Sequence, residues 1–574
     1  MPFPAMSVSQ AHAILTGPGG PLEIETKTIR GQELRVYKVG PQSLRDIFEM
    51  GRAHGDLDFL IYGDERISYR AHANAAARLA HALKDNYGVK KGDRVALVMR
   101  NLPEWPVVFW ASVIIGAMIC PLNAWWTADE LEYGLRDSGS VVAIVDVERA
   151  DRIAEKLPNI PNVRALIVTR AGDDLPAGAV ALEDVIGEAK SWADLPETSA
   201  PDVALDPEDL CTLFYTSGTT GAPKGAYGTH RNVITNLMNM MVNTARQFLR
   251  RGETPPAPDP SLPKKAVLLA IPFFHVTGCH AVLVPSVAQG AKIVMMHRWD
   301  ALKGIELIEK EKINSFGGVP AIAWQVIEHP RLKEFDTSSV ESVSYGGAPS
   351  SAELVRKIVE TFPKVSPGQG YGLTETSAAV TNIGSEDYEL RPLSCGPAHP
   401  INDVRVVGPD GQDVPVGEVG ELWIRGPNVI VGYWNKPEAT EAAFGGGWFK
   451  SGDLVRMDEE GFIFIVDRAK DMIIRGGENV YCSEIEDILY KHPDISDAAI
   501  IGVPHKVLGE EVGAVVTVPP TSSLTEEDVK RWVGASLAAF KVPAYVRIMH
   551  EPLLRNANGK ILKRELKSLF ETSA

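Results

Sequence analysis

Short apolar runs rich in β-branched residues punctuate the chain: RVALVM at 94–99, VVAIVD at 141–146, AVLLAIP at 266–272 and AKIVMM at 291–296. Between them lie amphipathic stretches such as HANAAARLAHALKDNY at 72–87. Continuous apolar runs suit strands buried on both faces, and their alternation with helical segments predicts an α/β fold with largely parallel sheets. From about 396 the texture changes to short alternating strands and turns, VRVVGPDGQDVPVGEVGELWIRG, which predicts a small β-rich subdomain over about 396–466 with a hairpin at PDGQ. A further change follows DRAKDMIIRGGENVYCSEIE. After it, a helix at 483–493, strands at 498–504 and 511–518 and a helix at 525–540 predict a compact α+β unit. The expected division is a large N-terminal domain, 1–469, and a small mobile C-terminal domain, 470–574.

One stretch challenges a soluble reading. Trp105–Ala128 carries no charge and is long enough to span a bilayer, but Pro121 and Asn123 break it. It is expected to form a buried helix of about three to four turns followed by a short strand, ICPLN. The Pro-rich segment 250–265 reads as an exposed loop.

At 574 residues the chain exceeds one core, and 45% hydrophobic with 23% charged residues is ordinary for a globular protein. The net charge of −16 disfavours nucleic acid and anionic membrane as partners, so a polyanionic ligand must be met by local cations. Five scattered cysteines without a C-x-x-C pair suggest neither disulfides nor zinc, and no basic-then-apolar leader is visible. A cytoplasmic protein without a transmembrane segment is expected, touching membranes peripherally if at all; monomer and homodimer both stay open.

YTSGTTGAPKG, 215–225, combines glycines that let a backbone approach a ligand with four threonine and serine hydroxyls and Lys224, a composition suited to phosphate. It is not the P-loop G-x-x-x-x-G-K-[ST]: counting from Gly218, Pro223 stands where glycine is required, and Gly225 follows Lys224 where Ser or Thr must bind magnesium. Four further segments accompany it: YGGAPS at 345, GQGYGLTETS at 368, WFKSGDLVRMDEEGFIFIVDRAKD at 448 and RNANGKILKREL at 555. In this order and spacing the chain, from about residue 45 onward, resembles the adenylate-forming enzyme superfamily and, within it, the acyl-CoA synthetases.

That resemblance implies two half-reactions. ATP and a carboxylate yield an acyl-adenylate and pyrophosphate, and coenzyme A then displaces AMP. By position, Thr216, Ser217, Gly218, Thr219, Thr220 and Lys224 would grip the β- and γ-phosphates. Thr374 and Glu375 would meet the α-phosphate, with Glu375 and Thr216 as the Mg²⁺ ligands. Gly347, Ala348, Pro349, Gly370 and Tyr371 would form the adenine slot. Asp453 would hold the ribose hydroxyls, with Arg468 beside it. Lys560 would bridge the incoming carboxylate and the α-phosphate, Gly476 and Gly477 would leave room for the pantetheine arm, and Lys470 would be the hinge. The family often carries proline where Leu554 stands. Read alone, Glu375 is a surface carboxylate, Tyr371 a core ring and Lys560 a solvated cation.

His275 in PFFHVTG matches a gate between the acyl and thiol tunnels, and reads equally as a buried histidine satisfied by a backbone carbonyl. The family's acyl-pocket segments read FFHVTGCH, FGGVPAIAW, SYGGA and YGLTETSAAV, without a charge to pair with a second polar group, so a fatty or aryl acid is favoured. Rival readings are transfer to a carrier protein, a luciferase-like oxidation, or a catalytically silent nucleotide-binding regulator.

Overall fold

The computed structural model describes residues 3–573 apart from 217–222, 258, 260–262, 349, 363, 557 and 558. Two eight-stranded sheets dominate. In the first, Leu210–Thr216, Met118–Pro121, Arg94–Val98, Val142–Asp146, Ala165–Thr169 and Val180–Ala181 run parallel, and Lys224–Thr229 and Gly432–Tyr433 add an antiparallel edge. In the second, Ser366–Leu373, Ser342–Gly346, Ser315–Gly318, Ala266–Leu269, Lys292–Met295 and Asp58–Tyr62 are parallel, flanked by antiparallel Ala378–Gly384 and Glu65–Ser68. The apolar runs are these strands, as their composition predicts.

The uncharged stretch from Trp105 forms the helix Glu104–Val113, buried at every residue, and then the strand Met118–Pro121. Its rings join one core with residues of both sheets, among them Phe214 and Ile293, so a helix apolar on all sides is covered by protein rather than lipid. Among the described residues no helix is long and apolar enough to cross a membrane. The amphipathic 72–87 stretch forms the helix Tyr69–His81, started by Ser68, whose side chain accepts from the Ala71 N–H.

Ser394–Pro397, Phe462–Arg468, Phe449–Met457, Gly420–Arg425 and Asp403–Val407 make a five-stranded antiparallel sheet, the β-rich texture read from about 396. After a turn at 469–472, Glu478–Val480, Ile473–Arg475, Gly509–Thr517, Asp497–His505 and Tyr545–Met549 make a separate sheet with its own apolar core, covered by Cys482–Leu489 and Glu526–Gly534.

The first forty residues, which the motif pattern does not reach, form the helix Val8–Thr16 and the hairpin Ile24–Ile29/Gln32–Tyr37. The helix packs along His230–Arg250. Arg250, fully buried, donates to Asp387 (3.0 and 2.6 Å), to Glu460 and to the Met6 carbonyl (2.9 Å), tying the N-terminal arm, the second large sheet and the β-rich sheet together. A buried pair broken on one side leaves an uncompensated charge and costs about 3–5 kcal/mol. Arg250→Met should therefore lower the first urea unfolding transition by about that amount, and adding Asp387→Asn should recover part of the loss.

Candidate active site

Phosphate chemistry first requires the hairpin. Thr216 ends one strand and Lys224 starts the next, as directly paired residues, so both stand at the mouth of the connecting loop. Ser217, Gly218, Thr219 and Thr220 lie outside the described residues, as does Pro349. Lys224 Nζ sits 4.7 Å from the centre of the Tyr433 ring, and the Tyr433 hydroxyl donates to Glu375 Oε1 at 2.6 Å. Tyr433 reaches this place because Gly432–Tyr433 pairs with the hairpin's second strand, Ala226 opposite Tyr433. Burial, then the Glu375 carboxylate, pushes its phenol far above its ordinary range, so it stays a donor. No motif marked Tyr433, since only strand pairing brings GYWN to this loop.

Thr374 and Glu375 lie on a single 3-10 turn, Thr374–Thr376, held by the Thr376 side chain on Leu373 and Ala378 and by the Glu375 carbonyl on the Ile430 N–H (3.0 Å). Directly after it Ser377 and Ala378 take φ of 54° and 100°, values that L-residues rarely adopt. Such backbone persists only where its surroundings over-determine it, and it clusters at functional sites. Gly372 makes the turn feasible: a Cβ there would lie 1.7 Å from the Ala378 carbonyl oxygen. Gly347 and Ala348 follow the strand Ser342–Gly346, which lies parallel beside Gly370 and Tyr371. Gly347 and Ala348 thus leave their strand beside Gly370 and Tyr371 of the next.

Tyr371 itself is 7% exposed, and its hydroxyl donates to Asp453 Oδ2 at 2.7 Å. Asp453, 3% exposed, takes Arg468 Nε on Oδ1 at 3.1 Å, the two residues facing each other across antiparallel strands. Lys560 arrives from the small domain. Its loop closes on itself: Lys560 N–H donates to Asn556 Oδ1 (3.0 Å), Asn556 N–H to the Lys560 carbonyl (2.9 Å), and Arg555 to the Gly559 carbonyl (2.6 Å) and to Asp497. Leu554, in the family's proline position, is 61% exposed, so the loop is shaped without a proline ring. Burial, then the cations Arg468 and Lys470, lowers Lys560 to about 8, with Asp471 and Asp453 opposing. Lys470 lies in the 469–472 turn, its pKa lowered by burial and by Arg468.

Gly476 and Gly477 are not part of this cluster. They are the two-residue connection of the hairpin Ile473–Arg475/Glu478–Val480, both with positive φ (58° and 92°), the geometry that such tight turns require, and they are exposed. His275 precedes a short helical turn, and its Nε2 is buried without a partner among the described residues rather than satisfied by a carbonyl. Burial pushes it down to about 3, so it is neutral and no proton carrier at neutral pH.

Beyond the carboxyl ends of Arg94–Val98, Ala266–Leu269, Lys292–Met295 and Ser315–Gly318 opens a cavity of about 520 Å³, the place where parallel sheets take ligands. Arg100, His297 and Arg298 line it beside Phe274 and Val319, and Asn556 and Gly559 of the Lys560 loop complete the wall. Arg100 lies 5.3 Å from the ring of Trp125, which is 49% exposed. Burial, then Arg149 and Arg298, holds Arg100 below its ordinary value. Phe274 and Val319 belong to the segments expected to build the acyl pocket, whereas Arg100, His297 and Arg298 were not singled out from the sequence, where isolated polar residues after apolar runs look like strand ends.

The AMP-binding enzyme model matches residues 47–434, and that of the AMP-binding enzyme C-terminal domain residues 484–560. The chain belongs to the AMP-binding enzyme family. It is 35% identical to a feruloyl-CoA synthase of an Amycolatopsis species over 510 residues, covering 89% of this chain and 95% of that relative. It is 33% identical to a long-chain-fatty-acid–CoA ligase of Bacillus subtilis over 526 residues, 88% and 90% covered. The solved structure of ATP-bound MatB from Rhodopseudomonas palustris superimposes with a TM-score of 0.78 at 28% identity, over 91% of this chain and 99% of that one. This AMP-binding enzyme is mixed α/β, with a large domain of parallel sheets and a small C-terminal domain.

Oxygen donors suit a hard cation, and Mg²⁺ usually takes one or two carboxylates with the rest of its shell from substrate phosphate and water. Glu375, with one carboxylate oxygen fixed by Tyr433 beside Lys224, fits that pattern. Among the described residues no cluster of three or more acidic, His or Cys ligands exists that would hold a metal without the nucleotide.

A lysine held near 8 loses its proton as pH rises through 8, whereas an ordinary lysine keeps it to about 10. If protonated Lys560 is required, kcat/KM for pyrophosphate release falls above about pH 8. Lys560→Arg, which stays charged, should lose that alkaline limb whatever its residual rate. A limb that persists in Lys560→Arg assigns it to another group.

Proposed function

We propose that this AMP-binding enzyme is an AMP-forming acid–CoA ligase, with the residues gathered above in the named roles. The observation that carries the reading is the placement of Lys560: a small-domain lysine lies in the electrostatic reach of Asp453 and Arg468, which meet Tyr371 at the edge of the large-domain site. The two relatives named above are ligases of carboxylic acids to CoA by their names, one aromatic and one aliphatic.

In the first half-reaction a carboxylate oxygen attacks the α-phosphorus and the bond to pyrophosphate breaks. Lys560 neutralises charge between the carboxylate and the α-phosphoryl oxygens, which otherwise repel each other. Lys224 with the hydroxyl-rich loop holds the departing pyrophosphate, and Asp453 accepts from the ribose hydroxyls. Glu375 and Thr216 would hold Mg²⁺, which would supply further neutralisation of phosphate charge. In the second, the CoA sulfur attacks the acyl carbonyl and the bond to AMP breaks, the thiol proton leaving with solvent base. Neutral His275 takes no proton.

The acid is proposed to be hydrophobic or aromatic, and the cation-lined cavity to receive CoA. Its aromatic and aliphatic wall suits the pantetheine arm, and Arg100 and Arg298 suit phosphates. This meets the requirement for local cations in a chain of net charge −16.

Pyrophosphate release across aliphatic and aryl acids, with and without CoA, tests the class. Release without CoA and thioester with it is expected; release dependent on a carrier protein, or oxygen-dependent light, selects a rival, and nucleotide binding without release marks a silent regulator. Lys560→Ala should cut adenylate formation about a hundred- to thousandfold, yet spare thioester formation from supplied acyl-adenylate. Arg298→Glu should raise KM for CoA about tenfold, the equivalent of roughly 1.4 kcal/mol, and leave pyrophosphate release without CoA unchanged.

A further inference from the structure

The small domain must be held in the arrangement that brings in Lys560, and the contacts that hold it converge on one buried carboxylate, inside the segment 448–471, to which no role was assigned. Asp467 is the penultimate residue of Phe462–Arg468, fixed in the β-rich sheet opposite Leu454, and lies just before the 469–472 turn. It is 7% exposed. Its Oδ1 accepts from the Arg468 N–H at 2.7 Å, and its Oδ2 accepts from the Cys482 N–H at 2.5 Å. Cys482 opens the small-domain helix Cys482–Leu489, whose own preceding residue, Tyr481, supplies no side-chain cap. A residue on one side of the turn thus caps a helix on the other, at the end where the helix dipole favours negative charge. Beside it the Ser483 hydroxyl donates to the Val466 carbonyl.

From that helix the contacts run on to Lys560. Glu486 pairs with Lys563 at 2.7 Å and accepts from the Ile500 N–H at 2.8 Å, and Lys563 lies three residues after Lys560. Burial pushes Asp467 up to about 6, with Lys563 and the two backbone N–H groups opposing and Glu486 adding to it. The carboxylate is therefore held charged by partners drawn largely from the small domain.

We propose that Asp467 is a positioning residue for adenylation, a cap across the hinge that locks Cys482–Leu489 onto the β-rich sheet and, through Glu486 and Lys563, sets the Lys560 loop over the site. Rotation about Lys470 moves Cys482 away from Asp467, so the lock stabilises the first half-reaction alone. The proposal rests on the two-step reading above.

Asp467→Ala should slow pyrophosphate release about tenfold, in line with a lost helix cap, and leave thioester formation from supplied acyl-adenylate within about twofold. Asp467→Asn, which keeps one acceptor oxygen, should lose less, and Lys563→Met should show the same split. Independently of activity, trypsin should cut after Lys470 several-fold faster in Asp467→Ala than in wild type. Equal loss in both half-reactions, loss in neither, or wild-type cleavage at Lys470 in a folded variant overturns the proposal. Should Asp467→Ala fail to fold, the same readouts on Asp467→Asn and Lys563→Met decide it. If wild type releases no pyrophosphate with any acid, the functional reading fails, while the trypsin comparison still decides the lock.

Discussion

The arrangement turns on Asp453. A carboxylate 3% exposed is costly unless its oxygens are satisfied, and here each oxygen is taken by a different part of the fold. Tyr371 reaches it from a strand of the second large sheet, and Arg468 from the last strand before the hinge. Burial of one anion therefore fixes the relation between the parallel scaffold, the β-rich sheet and the origin of the small domain. Lys560 then arrives at a buried place beside Arg468 and Lys470, and burial first, then these two cations, loosen its proton. A polyanion bound beside them would relieve their mutual repulsion, so nucleotide binding and closure of the small domain favour each other.

How much of this was legible in the sequence depended on whether the physics was local. Apolar runs such as VVAIVD became strands because burial on both faces demands continuous hydrophobicity, and Glu104–Val113 became a helix covered by both sheets for the same reason. The roles expected of Thr216, Lys224, Glu375, Asp453 and Lys560 came from the resemblance of their motifs to those of adenylate-forming enzymes. Tyr433, Asp467 and Arg100 were assigned none. Each acts through a partner distant in sequence, Glu375, Cys482 and the cavity wall respectively, and its own neighbourhood resembles ordinary strand ends. The N-terminal helix and hairpin were likewise unreadable, because their role lies in packing on His230–Arg250 and in the Met6 contact to Arg250.

Strain and rigidity are distributed unevenly. The segment carrying Glu375 is held by the Thr376 side chain, by Ile430 and by the close approach at Gly372, and it is there that Ser377 and Ala378 adopt unfavourable φ. A carboxylate that must meet phosphate or a cation in a fixed place gains from such over-determination, since little reorganisation is left for the moment of reaction. The Lys560 loop is built the other way, closed on itself by hydrogen bonds among Arg555, Asn556, Gly559 and Lys560. It can travel as a unit without losing its shape.

That unit also explains why one lysine cannot stay for both chemical steps. Asn556 and Gly559 form part of the cavity wall, and a Cβ on Gly559 would stand 2.9 Å from Val319 Cγ2, so the loop already fills its side of the space. With Lys560 inserted, a thiol approaching through the cavity meets the loop. With the loop withdrawn, the acyl carbonyl becomes accessible, but the charge that favoured adenylation is gone. The two half-reactions therefore compete for one volume. A hinge, with a lock strong enough to hold the first arrangement and weak enough to release it, is what the proposed two-step reading asks of this geometry.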